Sequence, residues 1–163
     1  LYVRAEDTLS RAGFNDAASQ QKVIAAYRSM IDRYPRSPAA DFARYRLGGL
    51  YYELKRMDEA IRFFDAFIER ASPDSDLLTL AWSGRGYAYE AKGDPAKALQ
   101  AFERAAKTRG SANFAGINDQ NIARVYEAMN KPDQAAAYYR KALEKTIDPG
   151  LSRLLKRKIA MLG

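Results

Sequence analysis

Three stretches of the chain align without a gap: YRLGGLYYELKRMDEAIRFFDAF from Tyr45, SGRGYAYEAKGDPAKALQAFERA from Ser83 and QNIARVYEAMNKPDQAAAYYRKA from Gln120. Gly48, Gly86 and Ala123 share a column, as do Tyr51, Tyr89 and Tyr126, then Ala60, Ala98 and Ala135, then Phe64, Phe102 and Tyr139, at spacings of 38 and 37 residues. A repeat of this length constrains the fold more than any local propensity. Each unit is too small to bury its own apolar face and becomes stable only when stacked on its neighbours.

Each unit reads as helix, short turn, helix. Leu47, Gly48, Leu50 and Tyr51 fall at the spacing of one helical face. The turns carry helix-start chemistry, with Asp94 as N-cap ahead of Pro95, and Ser37 ahead of Pro38. No stretch alternates with period two for long enough to predict a strand, so the expected class is all-α. The columns of small residues then have a packing explanation: where the two helices of a hairpin cross, a Gly or Ala on each lets the backbones approach, and a flanking Tyr and Phe fill the gap beside them.

Composition narrows the chemistry. With neither cysteine nor histidine, the chain has no disulfides, no thiolate nucleophile, and neither the usual general base nor the commonest metal ligand. Carboxylate pairs such as Asp58 and Glu59 sit where a first helical turn favours acids, and the glycines of LGGLYY and SGRGYAYE lack the strand and third glycine of a dinucleotide loop. Trp82 is expected in the core. No catalytic, cofactor-binding or metal-binding residues are predicted. No run of residues approaches the length of a membrane helix, and LYVRAEDTLS has no signal-peptide pattern. The chain opens at Leu1 rather than methionine, as expected of a piece of a longer protein with an anchor or signal ahead of it. The formal charge is +7, and residues 140–163 hold seven basic against two acidic residues. This end reads mainly as a solvated helix face. The alternative function is nucleic-acid or anionic-membrane binding through it, which the lack of aromatics in SRLLKRKIAML disfavours for nucleic acid.

The pattern Trp82, Gly86, Tyr89, Gly93, Ala98, Phe102 and Ala105 resembles the tetratricopeptide repeat, as do Leu47, Gly48, Tyr51, Ala60 and Phe64, and Ile122, Ala123, Tyr126, Ala135, Tyr139 and Ala142. The resemblance implies a right-handed superhelical α-solenoid of helical hairpins. It would form a single domain over residues 1–163, with repeats near 1–37, 38–74, 75–112 and 113–148 and a capping helix at 149–162. Residues 2–12 would be a degenerate first helix, and AYRSMIDRYPRSP the second helix of that repeat. Arg44 and Asp119 stand in the column of Trp82, and Arg85 in that of Leu47, so looser packing is expected there. In the capping helix, Leu151, Leu154, Leu155, Ile159 and Leu162 form the apolar stripe and Arg153, Lys156, Arg157 and Lys158 the polar remainder.

The texture of the first two repeats, with the basic last helix, also resembles bacterial envelope repeat proteins of the YfgM-like type, ancillary subunits of the Sec translocon. That implies a periplasmic scaffold, tied to the membrane only through a missing N-terminal anchor, which binds exported proteins, chaperones or assembly components; a cytoplasmic location is the alternative. Carrying the tetratricopeptide groove positions over places Tyr45, Gly49, Tyr52 and Glu53, then Ser83, Tyr87 and Glu90, then Gln120, Asn121, Arg124 and Glu127 on a concave binding face. The expected partner is a peptide segment or helix of another protein, with no nucleic acid and no cofactor. The groove departs from the Lys/Asn clamp for a C-terminal carboxylate, because Gly49 stands where Asn is expected and Ser83 where Lys is. The residues set no oligomeric state.

Overall fold

The computed structural model describes residues 17–163; the expected first helix over residues 2–12 lies outside them. Every element among the described residues is helical, as the absence of period-two patterning requires. The chain divides into two compact units, Leu1–Ala71 and Ser72–Gly163.

The first unit holds α1 (Ala17–Arg33), α2 (Pro38–Glu53) and α3 (Met57–Ile68). Helix α1 buries Val23, Ile24, Tyr27 and Met30. Ser37 caps α2 by accepting from the Ala40 amide at 3.1 Å, with Pro38 in the first turn where no donor is missed. Helices α2 and α3 form the hairpin read from the sequence. A Cβ on Gly48 would lie 2.6 Å from the Phe64 ring. The small residue of this column makes room for the aromatic ring, which lies directly on the glycine.

The second unit holds α4 (Asp76–Ala91), α5 (Pro95–Ala106), a 3-10 segment (Arg109–Phe114), α6 (Ala115–Ala128), α7 (Pro132–Lys145) and α8 (Pro149–Leu162). Gly86 repeats the Gly48 geometry, with Phe102 at 2.6 Å from a built Cβ. Ala98, Phe102, Ile122 and Val125 form one buried cluster, and Ala123, Ala135, Tyr139, Ala142 and Leu155 another. The 3-10 segment was not predicted. The Thr108 hydroxyl pairs with that of Thr79 on α4 and reaches the Ala105 carbonyl at 2.8 Å, tying the approach to this segment onto the hairpin.

All three hairpin turns are built alike. Lys55, Gly93 and Asn130 are left-handed, at φ 60°, 75° and 55°. The next amide in each case donates back to the motif tyrosine, Arg56 to Tyr51, Asp94 to Tyr89 and Lys131 to Tyr126, each at 2.9 Å. This is the six-to-one bond of a Schellman helix stop. Asp94 also caps α5 through the Lys97 amide at 3.1 Å.

Three expectations need correction. The polar residues in the Trp82 column do not loosen the packing. Arg44 is buried against Asp41 at 2.7 Å and donates to the Pro35 carbonyl at 3.0 Å, while Asp119 is buried against Lys145. Trp82 is only partly buried, under the Arg85 guanidinium. In α8, Leu155 is fully buried but Leu154 is 46% exposed, and Lys158 turns inward onto Glu127 instead of out to solvent. One residue of helix turns a side chain by about 100°, so adjacent leucines cannot share the narrow face that meets α7.

Candidate protein-binding face

The predicted groove residues lie on the first helices of their hairpins, α2 in one unit and α4 and α6 in the other. On α2, Tyr45 is spoken for: its ring packs 5.6 Å from Phe67 and 6.3 Å from Phe64, inside the hairpin, and burial pushes its phenol pKa up. Gly49 faces open space, Glu53 is exposed, and Tyr52 is half-buried with the Lys55 ammonium over its ring. These three form an open patch one turn long.

In the second unit the same positions are joined to one another. Arg124 grips Glu90 with two hydrogen bonds, 3.0 and 2.6 Å, and stacks over Tyr87. The Asn121 amide donates to the Tyr87 hydroxyl at 2.8 Å, and Tyr87 meets Phe102 edge-on. Glu127 accepts from Lys158 at 2.7 Å and from the Tyr139 hydroxyl at 2.8 Å. These bonds run from α4 to α6 and from α6 to α7 and α8, so Tyr87, Glu90, Asn121, Arg124 and Glu127 brace the hairpins laterally. Ser83, buried, returns its hydroxyl to the Thr79 carbonyl. The residues of this face are polar and aromatic, but residue type does not show whether a side chain is satisfied within its own chain.

The second unit also holds a cleft of about 150 Å³ lined by Gln120, Arg124, Tyr139, Leu154, Leu155 and Lys158. Leu154 and Lys158 were not predicted here; their 37-residue offset from Ile117 and Asn121 was the signal. The cleft combines an exposed leucine with donors that keep spare capacity. Lys158 has three N–H bonds and Arg124 five, and Glu127 and Glu90 do not use them all. The Glu90 hydrogen bond raises the Arg124 pKa, and the Lys158 hydrogen bond holds the Glu127 carboxyl below its ordinary value. Burial, then the Glu127 acceptor, pushes the Tyr139 phenol well above the usual range.

A depressed carboxyl pKa contributes stability that is present above the unfolded value of 4.5 and lost as pH falls through the folded one. Glu127→Gln is therefore expected to lower the urea midpoint at pH 7, with the gap to the parent closing as the pH is taken below about 4. Urea melts between pH 3 and 7 check it; a gap that stays constant would mean that the Glu127 charge adds nothing.

Helical hairpins that repeat a small residue under an aromatic and close with the same left-handed stop define a helical-repeat protein. Two family models described as tetratricopeptide repeat match residues 40–110 and 120–152. The chain carries tetratricopeptide repeats over those residues. Among solved structures it is similar to MamA, at 20% identity and a TM-score of 0.77 over 99% of this chain and 78% of that one. It is also similar to a thermophilic TPR protein of Thermus thermophilus, at 22% identity and a TM-score of 0.67 over 98% and 79%. A third is the N-terminal domain of stress-induced protein-1 from C. elegans, at 20% identity and a TM-score of 0.63 over 73% and 94%. At these identities the likeness is one of fold. No curated protein sequence matches the chain. Among the described residues no helix is long and apolar enough to cross a membrane.

Proposed function

We propose that the chain is a non-enzymatic scaffold that binds a segment of another protein along the face carried by its first helices. The observation that carries the reading is the cleft beside α6 and α8, where Gln120, Arg124 and Lys158 surround the exposed Leu154. An apolar wall with convergent donors suits a peptide that presents an aliphatic side chain beside backbone carbonyls. In the first unit, the open patch of Gly49, Tyr52 and Glu53 is a candidate contact in its own right. The resemblance to envelope repeat proteins supports partners among exported proteins, chaperones or translocon and assembly components, met on the periplasmic side.

Tyr52→Ala and Leu154→Ala are expected to lower thermal melting only slightly, because Tyr52 is half-buried and Leu154 is 46% exposed, yet to weaken capture of envelope proteins by about tenfold each, as loss of an interface anchor does. Lys97→Ala and Lys141→Ala, on the second helices α5 and α7, are the controls. Undiminished capture by both variants would remove the first-helix face as the binding site.

A further inference from the structure

Ile117 on α6 and Leu154 on α8 are 50% and 46% exposed, and they stand 37 residues apart, in one repeat column. Ile117, Gln120, Asn121 and Arg124 follow the i, i+3, i+4, i+7 spacing of a single helical face, and Leu154, Arg157 and Lys158 begin the same spacing on α8. The cleft opens between these two faces, with Gln120 and Arg124 on one side and Leu154 and Lys158 on the other. Two uncovered aliphatic side chains therefore stand on neighbouring first helices, Leu154 in the cleft and Ile117 one turn before Gln120.

Size, spacing and charge limit what such a cleft takes. A cavity of about 150 Å³ admits one group of benzene size, so the cleft holds a single side chain rather than a helix face. Adjacent helices lie about 10 Å apart, and a polyproline-II backbone advances about 9 Å over the three residues that return a side chain to the same side. An extended segment crossing α6 and α8 thus meets Leu154 and Ile117 with aliphatic side chains three residues apart. It makes no internal hydrogen bonds, which leaves its carbonyls for the Gln120 amide and the spare Lys158 donors. Arg124 is offset by Glu90 and Lys158 by Glu127, whereas Arg157, in the column of Gln120, is exposed and has no ion pair among the described residues. The uncompensated charge beside Leu154 is positive. We infer that the cleft binds an extended segment of a partner protein, with one aliphatic side chain against Leu154, a second three residues away on Ile117, and an Asp or Glu next to the first, paired with Arg157. This specifies the segment that the scaffold proposed above would bind, and it rests on that reading of the cleft.

The probe is the peptide Glu-Leu-Pro-Pro-Leu-Glu, acetylated and amidated so that neither chain end is charged; its symmetry sets an acid beside the cleft in either direction. It is compared with the same peptide carrying Gln for both Glu, and with one that has a third Pro between the leucines. Titrations followed by amide NMR of the whole chain are expected to shift Ile117, Gln120, Leu154 and Arg157. The Glu peptide should bind about tenfold more tightly than the Gln peptide, the scale of one charge-assisted hydrogen bond, and about tenfold more tightly than the three-proline peptide, the scale of one lost aliphatic contact. Arg157→Glu should reverse the order of the Glu and Gln peptides and leave the preference for spacing. Equal affinities of the three peptides, an order that Arg157→Glu leaves unmoved, or no binding of any peptide would each overturn the inference; if Leu154→Ala still weakened all three, the cleft would remain the binding site. Shifts elsewhere on the chain, with Leu154→Ala without effect, would remove the cleft as well. Shifts at Leu154 that grow with protein concentration in the absence of peptide would assign the cleft to a second copy and overturn the inference too.

Discussion

Gly48→Ala and Gly49→Ala, one residue apart on α2, are expected to move stability in opposite directions. A Cβ on Gly48 would stand 2.6 Å from Cδ1 of Phe64 and 2.9 Å from its Cγ. The ring cannot swing clear, because Phe64 is itself buried and packed against Tyr45. Helix and ring must separate, at about 1–3 kcal/mol. Gly49 has nothing within 4 Å of its built Cβ. There alanine only removes the backbone entropy that glycine carries in a helix interior, a gain of about 0.5–1 kcal/mol. Gly86→Leu should be costlier than Gly48→Ala, since Phe102 is wholly buried and leucine adds three further carbons to the same clash. Denaturant midpoints of the parent and the three variants decide it. Equal losses at Gly48 and Gly49 would mean that the small column is required by the backbone rather than by the ring lying on it.

Asn118→Leu is expected to stabilise the chain by about 2 kcal/mol. Asn118 is 1% exposed, and neither its Oδ1 nor its Nδ2 finds a hydrogen-bond partner. A buried polar group left unmade costs about 1–3 kcal/mol, and an apolar side chain of the same branched outline removes that cost. The repeat supports the choice: Asn118 stands in the column of Ala43, Ala81 and Leu155, all fully buried and apolar. Calorimetry and urea melts check the sign. A lower midpoint would show that the amide is satisfied in solution and holds α6 in place.

These two cases mark how far the residues speak for themselves. The hairpins, the Asp94 and Ser37 caps and the small columns were legible because each depends on spacing and on a few side-chain types with one backbone use. The 3-10 segment Arg109–Phe114 was not, since RGSANF has no period and takes its shape between α5 and α6. Lys55 hides the helix stop that Gly93 and Asn130 offer, because lysine, unlike glycine and asparagine, has no preference for the left-handed backbone. On the candidate face, a Glu or Arg reads the same whether it awaits a partner or already has one. Glu90 and Arg124 lie 34 residues apart and meet only once the hairpins stack. The apolar stripe of α8 was drawn one residue too wide at Leu154, and that residue lines the cleft instead.

The first-helix face is the surface proposed to meet other proteins. A photo-crosslinking amino acid placed singly at Gly49, Tyr52, Gln120 and Leu154, and at Lys97 and Lys141 on the second helices, tests this in living cells. Discrete protein adducts are expected from the first four positions and none from the last two. Adducts from Lys97 and Lys141, with the first four silent, would contradict the proposal.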